Sequence, residues 1–321
     1  MTTSGTSSFN PAVIEIIDMA YRKIGAISED ETPTAAMYNS ASFQLNSMIK
    51  GWMALGIHVW TEEEAILFLQ QLQHRYLLGG TNTDNCCDAN AYILAQLEQA
   101  AAGGATTVTL ETAVGIADGN YFGVVLDSGA AFWTKVSGAP VGNVVTLAAP
   151  LPAGSSASAE NFCFAYATKI VRPLKVPRVR LLTYQGLQET PMTVLSRKEY
   201  MNLPQKTNPG TPTQFFYTPQ LVSGEFYAWP NPANANWGAR MTWYRPLQDV
   251  TSVAQTADFP QEWINPLGWN LAREMGPEYG CPAQLWAIIK SEAAEKLDMV
   301  QSWDREPEPI YFGMSFDETQ R

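Results

Sequence analysis

Apolar residues recur every three or four positions in four stretches near the two ends of the chain. The spacing predicts amphipathic helices there. Asn10-Pro11 reads as a cap and first turn, and Ile14, Ile17, Tyr21 and Ile24 form a stripe that Gly25 stops. Thr32-Pro33 opens a longer helix with Ala41, Leu45, Met48, Trp52 and Leu55 on one face, ended by Gly56. Near the other end, Ile264, Leu267, Leu271 and Met275 form a third stripe after Pro260 and Glu262. Pro266 lies inside it and should kink or delay that helix, and Gly276-Pro277 ends it. The last helix follows Gly280-Cys281-Pro282. It presents Leu285, Ile289, Ala293, Leu297 and Val300, opposite Lys290, Glu292, Glu295, Lys296 and Asp298.

Between these ends the period shortens to two. Residues 103–168 carry short strand-like runs such as "TTVTL", "YFGVVL" and "NVVTL". Turn signals separate them at Asp118-Gly119-Asn120, Asp127-Ser128-Gly129, Val141-Gly142-Asn143 and Pro152-Ala153-Gly154-Ser155. The pattern predicts a small inserted all-β module, barrel-like, with "GSSASA" at 154–159 as a flexible loop. Residues 61–78 admit two readings. Thr61 and Glu64 fit a helix capping box, whereas Ile66–Leu69 and Tyr76–Leu78 fit a hairpin.

"GEFYAWPNPANANWGARMTWYRPL" (224–247) alternates on both sides of a Trp-Pro-Asn-Pro corner. It predicts a strand, corner, strand unit with aromatic pairs across it. Trp229, Trp237 and Trp243 read as packed core or as candidate subunit-interface aromatics, with a sugar-binding platform as the other reading. Upstream, Lys169, Arg172, Lys175, Arg178 and Arg180 form the chain's basic concentration. They read either as a strip facing DNA or an acidic partner, or as a solvated edge strand guarded by cations and prolines. The last stretch, "DREPEPIYFGMSFDETQR", is held extended by Pro307 and Pro309. Its Ile310, Tyr311, Phe312, Met314 and Phe316 need a surface to cover them, on their own domain or in a partner's groove.

Composition sharpens this picture. The chain has 321 residues, room for about two domains. Charged residues make up 16% of it, below the roughly 25% of ordinary soluble domains, which suits either a surface partly covered by something other than water or a neutral monomer coated with Ser, Thr, Asn and Gln. The net charge of −11 argues against tight nucleic-acid binding and suits either ordinary solubility or a surface past which DNA slides without sticking. Cys86, Cys87, Cys163 and Cys281 form no CxxC and predict free thiols in a reducing compartment. With His58 and His74 they give no metal-ligand spacing, so no metal or cofactor is expected. The polar start MTTSGTSSFN lacks the features of a secretory leader, and no apolar run has a membrane span's length.

Catalytic signatures are missing: there is no Walker loop, GxSxG elbow, HExxH or dinucleotide glycine fingerprint. Glu62, Glu63 and Glu64 are a candidate carboxylate cluster for glycan hydrolysis, against the plainer reading of a capping or solvated acidic run.

Several stretches together resemble one family, the head-to-tail adaptor (tail accessory factor, or head completion) proteins of short-tailed bacteriophages. "ASFQLNSMIKGWMALGIHVWT" (41–61) resembles the family's second helix. "GNYFGVVLDSGAAFWTKVSG" (119–138) and "GNVVTLAAPLPAG" (142–154) resemble an inserted β module of phage neck proteins. "SRKEYMNLPQKTNPGTPTQFFY" (196–217), "FYAWPNP" (226–232) and "DFPQEWINPLGWNLAREMGPEYG" (258–280) resemble the later sheet and helix pair. The similarity spreads over residues 10–305, and the order of the motifs carries it. Pro266 and the Ala-rich "ANAYILAQLEQAAAGGA" (89–105) depart from the pattern; the latter is expected to be a connection.

The resemblance implies an α+β chain. N-terminal helices (1–60) and C-terminal helices (258–303) would form a bundle. A hairpin and connection (61–102), an inserted β module (103–168), a β-strand region (169–257) and an extended tail (304–321) complete it. It also implies a non-enzymatic structural virion protein: a homo-oligomeric ring, most often of twelve copies, at the head–tail neck. Such a ring would have the portal protein on one side, tail nozzle or fibre proteins on the other, and DNA leaving through the lumen. It would be built in the host cytoplasm and carry no cofactor or membrane contact. The tail, through Pro307, Pro309, Ile310, Tyr311, Phe312, Met314 and Phe316, would dock to the portal. A virion-borne cell-wall glycan hydrolase and a carbohydrate-binding tail module are the alternatives.

Overall fold

The structure, a computed structural model, describes residues 5, 9–56, 59–80 and 83–303. The chain is α+β and divides into two compact units, Thr61–Pro246 and the segments on either side of it.

The flanking segments form the helical unit. Helix α1 (Val13–Ile24) starts without a side-chain cap. Val13 N and Ile14 N donate instead to Gln255 O and Val253 O, each at 2.8 Å, which is why the expected cap at Asn10 is not used. Helix α2 (Ala35–Leu55) is capped by Thr34, whose hydroxyl accepts from Met37 N at 3.3 Å, and Gly56 ends it at φ 77°. Leu55, expected on the buried face, is 69% exposed; Ile49 is buried in that stripe.

Residues 247–257, expected in the strand region, are irregular and belong to this unit. Asn46 pins them, donating to Val250 O and accepting from Val250 N, both at 2.9 Å. Residues Gln261–Trp263 form a turn of 3-10 helix before α4 (Ile264–Met275), while the short α3 (Arg197–Asn202) belongs to the other unit. Pro266 thereby falls in the first turn of α4, where its missing N–H is not needed, so it delays the helix without kinking it. Helix α5 (Ala283–Trp303) runs back along α4, and buried Asn270 ties the two by donating to Pro266 O and Ala293 O. Ile17, Tyr21, Leu45, Trp263, Leu267, Leu271 and Ile289 meet in one core shared by α1, α2, α4 and α5.

In the second unit, β1 (Glu62–Phe68), β2 (Arg75–Leu78) and β3 (Cys86–Asp88) come first. The chain then leaves for an insertion: β4 (Tyr92–Gln96), β5 (Ala101–Ala102), β6 (Thr107–Thr109), β7 (Tyr121–Val125), β8 (Ala131–Lys135), β9 (Val144–Thr146), β10 (Ser156–Ala157) and β11 (Phe162–Tyr166). It returns as β12 (Lys175–Thr183), β13 (Gln188–Val194), α3 (Arg197–Asn202), β14 (Pro209–Gly210), β15 (Gln214–Pro219), β16 (Gly224–Trp229), β17 (Asn231–Pro232) and β18 (Trp237–Tyr244).

Eight of these strands form one sheet in the order β2-β16-β15-β13-β12-β18-β1-β3. Only the β13–β15 pair is parallel. Its two edges approach each other where Asp84 N donates to Leu77 O at 2.8 Å, so the sheet is a nearly closed barrel. Leu67, Tyr76, Val179, Leu181, Phe215, Phe226, Met241 and Trp243 fill its interior.

Residues 66–69 and 76–78 are strands, but β1 pairs with β18 and β3 while β2 pairs with β16, so they form no hairpin. Both edges of β1 are already taken. Likewise β16 and β18 do not pair across the Trp-Pro-Asn-Pro corner. They lie four strands apart, and the corner instead pairs as β17 with β14.

The insertion has its own sheet, β4-β11-β7-β8, with the pairs β5–β10 and β6–β9 closing over a core of Leu97, Leu110, Phe122, Val124, Val145 and Cys163. It starts earlier than expected, since the Ala-rich 89–105 stretch supplies β4 and β5. The "GSSASA" stretch, expected as a flexible loop, is tied down. Asp127 accepts from Ser156 Oγ (2.6 Å), Ser158 N (2.9 Å) and Asn161 Nδ2 (2.9 Å), and Ala157 is buried in β10. The other face of the insertion's sheet meets the barrel wall through Phe68, Trp133, Phe164, Tyr166 and Tyr184. This explains the uninterrupted apolar run Ala65–Phe68: Ala65 and Leu67 face the barrel interior, Ile66 and Phe68 face the insertion.

Candidate functional site

The tail residues Pro307, Pro309, Ile310, Tyr311, Phe312, Met314 and Phe316 lie outside the described residues. The remaining candidates all fall in the Thr61–Pro246 unit.

The basic segment is not an edge strand. Strand β12 lies between β13 and β18, and a register shift between Lys175 and Arg178 sets Val176, Val179 and Leu181 inward and Lys175, Arg178 and Arg180 outward. Nor do the five cations act as one strip. Arg180 is paired with Glu64 and Glu189 (the latter at 3.2 Å). Lys175 and Arg178 are exposed on β12. Lys169 and Arg172 lie before the strand and line a separate cavity of about 530 Å³ with Tyr121, Ile170 and Val222.

Glu62, Glu63 and Glu64 lie on β1, not on a helix. They line a groove of about 520 Å³ with Arg178, Arg180, Pro191, Val194 and Thr242. Glu64 takes guanidinium contacts from both Arg180 and Arg240, and Glu63 accepts from Arg245 Nε at 2.7 Å. Burial acts to raise the Glu64 pKa, but the hydrogen bonds and charges of Arg240 and Arg180 outweigh it and hold the carboxyl below its ordinary value. A general acid for glycan hydrolysis needs the opposite shift.

The three tryptophans part company. Trp243 is 3% exposed inside the barrel, so it is a core residue and not an interface aromatic. Its alternate position on β18 sends it inward with Met241. Trp229 and Trp237 are half-buried; Trp229 Nε1 donates to Gln205 O at 2.9 Å. The aromatics that do gather on the outer face are Tyr200, Phe216 and Tyr227, with Arg197 and Lys206 over their rings. Alternation along β16 signals this cluster for Tyr227, whereas Phe216 sits in an unbroken aromatic run, Phe215-Phe216-Tyr217, that assigns no face. Tyr200 arrives from the capped turn of α3, which no periodicity announces.

The helical unit carries a groove of about 550 Å³ lined by Phe43, Ser47, Gly51, Leu55, Arg273 and Leu297. Phe43 is 76% exposed there. Among the described residues no three His, Cys, Asp or Glu side chains group to hold a metal ion, and no helix is long and apolar enough to cross a membrane. No protein-family model matches the chain, and no curated protein matches it.

Proposed function

We propose that this chain is a structural head-to-tail adaptor of a short-tailed bacteriophage virion. Copies form a ring, of about twelve by the family resemblance, between portal and tail nozzle or fibres, and DNA leaves through the lumen. The terminal helices act as the ring-forming bundle, the barrel and its barrel-like insertion face other tail parts, and the tail 304–321 docks to the portal. Assembly takes place in the host cytoplasm, and the mature protein sits at the virion neck.

One observation carries this reading most. The first and last helices share a core, and the whole middle of the chain is a separate β unit bearing an inserted β module. That is the organisation the ordered motifs of the resemblance imply. Exposed apolar side chains on the helical unit support it further, since Phe43, Leu55, Ile288 and Met299 are each more than half exposed and suit contacts with neighbours. The glycan-hydrolase reading has less to stand on, because Glu64 is held ionised by two arginines. The carbohydrate-module reading loses Trp243 to the barrel interior.

The experiment is a pull-down and electron micrograph with the cognate portal. The full chain should give rings on the portal. A chain lacking residues 304–321 should keep its circular-dichroism spectrum and lose portal binding. Unchanged binding by that shortened chain would overturn the role given to the tail.

A further inference from the structure

Strands β8, β7 and β11 lie side by side, and their ends converge at Tyr121. Lys135, the last residue of β8, is the register partner of Tyr121, and Tyr166 is its partner on the other side. Tyr121 stacks on Tyr166 with centroids 5.1 Å apart. Three residues beyond Tyr166, Lys169 turns back over the same ring. The ammonium groups of Lys135 and Lys169 each sit 4.8 Å from the Tyr121 centroid. Arg172 joins Tyr121 and Lys169 on the wall of a cavity of about 530 Å³, and Lys135 stands exposed beside it at the Tyr121 ring.

Arg172 is fixed from behind. A Cβ on Gly79, at φ 74°, would stand 2.3 Å from Arg172 N, so only glycine lets the backbone at Arg172 come this close. Lys169 is anchored by donating to Thr83 O. Among the described residues none of Lys135, Lys169 and Arg172 forms a salt bridge. Asp84 acts on Lys169 only through space, its oxygens being taken by Leu77 N at 2.6 Å and Gln73 Nε2 at 3.1 Å. Burial lowers the Lys169 pKa, and Lys135 adds to that effect. Like charges gathered at a partly buried wall, offset only through space by Asp84, are unfavourable until an anion enters.

We infer that the cavity beside Tyr121 is a binding site for an oxyanion of the phosphate class, held by Lys135, Lys169 and Arg172. Two ammonium groups and a guanidinium fork match an ion with several acceptor oxygens and more than one charge; a lone carboxylate supplies one charge. The phosphate can come from a free ion or from a nucleic-acid strand. The inference stands apart from the adaptor proposal, because a free ion needs no ring.

The test is isothermal titration of the full chain at low salt with inorganic pyrophosphate, and with a 5′-phosphorylated oligothymidine. Binding of either probe is expected, at least tenfold weaker in the double variant Lys135→Gln, Arg172→Gln, and unchanged in Lys175→Gln. These positions leave the Lys169 anchor in place, and circular dichroism checks the fold. Binding of pyrophosphate identifies a free-ion site; binding of the oligonucleotide alone identifies a strand phosphate. Failure of both probes to bind the folded wild type overturns the inference. So does equal binding by the double variant, or tighter binding of a polyglutamate peptide than of either phosphate probe.

Discussion

Arg180 and Arg240 stand directly opposite each other on β12 and β18, and the same two carboxylates, Glu64 and Glu189, bridge both of them. Like charges opposed across a strand pair are destabilising on their own. Here Glu64 reaches in from β1 and Glu189 from β13, so four adjacent strands are cross-linked by one alternating network on the barrel's outer face.

Glu64→Gln should therefore cost more than an isolated surface pair, about 1 kcal/mol, because it leaves two guanidinium groups sharing one carboxylate. Its pH signature has a definite sign. The folded-state pKa of Glu64 is lowered, so its contribution is complete above the unfolded carboxyl value of about 4.3 and is lost as pH falls through the folded value. Urea midpoints of wild type and Glu64→Gln, measured from pH 7 downward, should converge on the acid side. A constant gap between them would contradict the network.

Asp127 should make its own acid-side contribution. Hydrogen bonds from Ser156, Ser158 and Asn161 hold its carboxyl down to about 2. The sign is again that of a depressed acid: present above the unfolded value of about 3.9, lost as pH falls toward 2. Asp127→Asn should remove that pH dependence. Amide exchange of residues 154–161 should speed up in the variant, whereas unchanged exchange would mean that the turn holds itself.

Trp243→Ala should destabilise the protein by about 3–5 kcal/mol, the range for emptying a large aromatic from a packed core. Chemical denaturation followed by circular dichroism measures this. A loss of only a few tenths of a kcal/mol would place the indole outside the barrel.

Thiol reactivity should separate the four cysteines. Cys86, Cys87 and Cys163 are buried, and burial pushes each thiol well up from its ordinary pKa, while Cys281 is partly exposed at the foot of α5. An aromatic disulfide reagent should titrate one thiol rapidly in the native protein and four after unfolding. Cys281→Ser should abolish the rapid phase, and two or more rapid thiols in the native protein would contradict the burial.

The sequence alone determined the four long helices and the glycine turns of the insertion, because caps, stops and 3.6-residue periods act within a few residues of themselves. Gly119, Gly129, Gly142 and Gly154 all take the positive φ that their turn motifs require. Partner choice among strands was decided only in three dimensions. A strand such as β1 accepts whichever neighbours satisfy its two edges and bury its two faces, and no short-range signal distinguishes the adjacent β2 from the distant β18. The same long-range pairing split the basic segment, carrying Arg180 to Glu64 and Glu189, bringing Lys169 with Lys135 to the Tyr121 ring and leaving Arg172 on the wall of the cavity beside it.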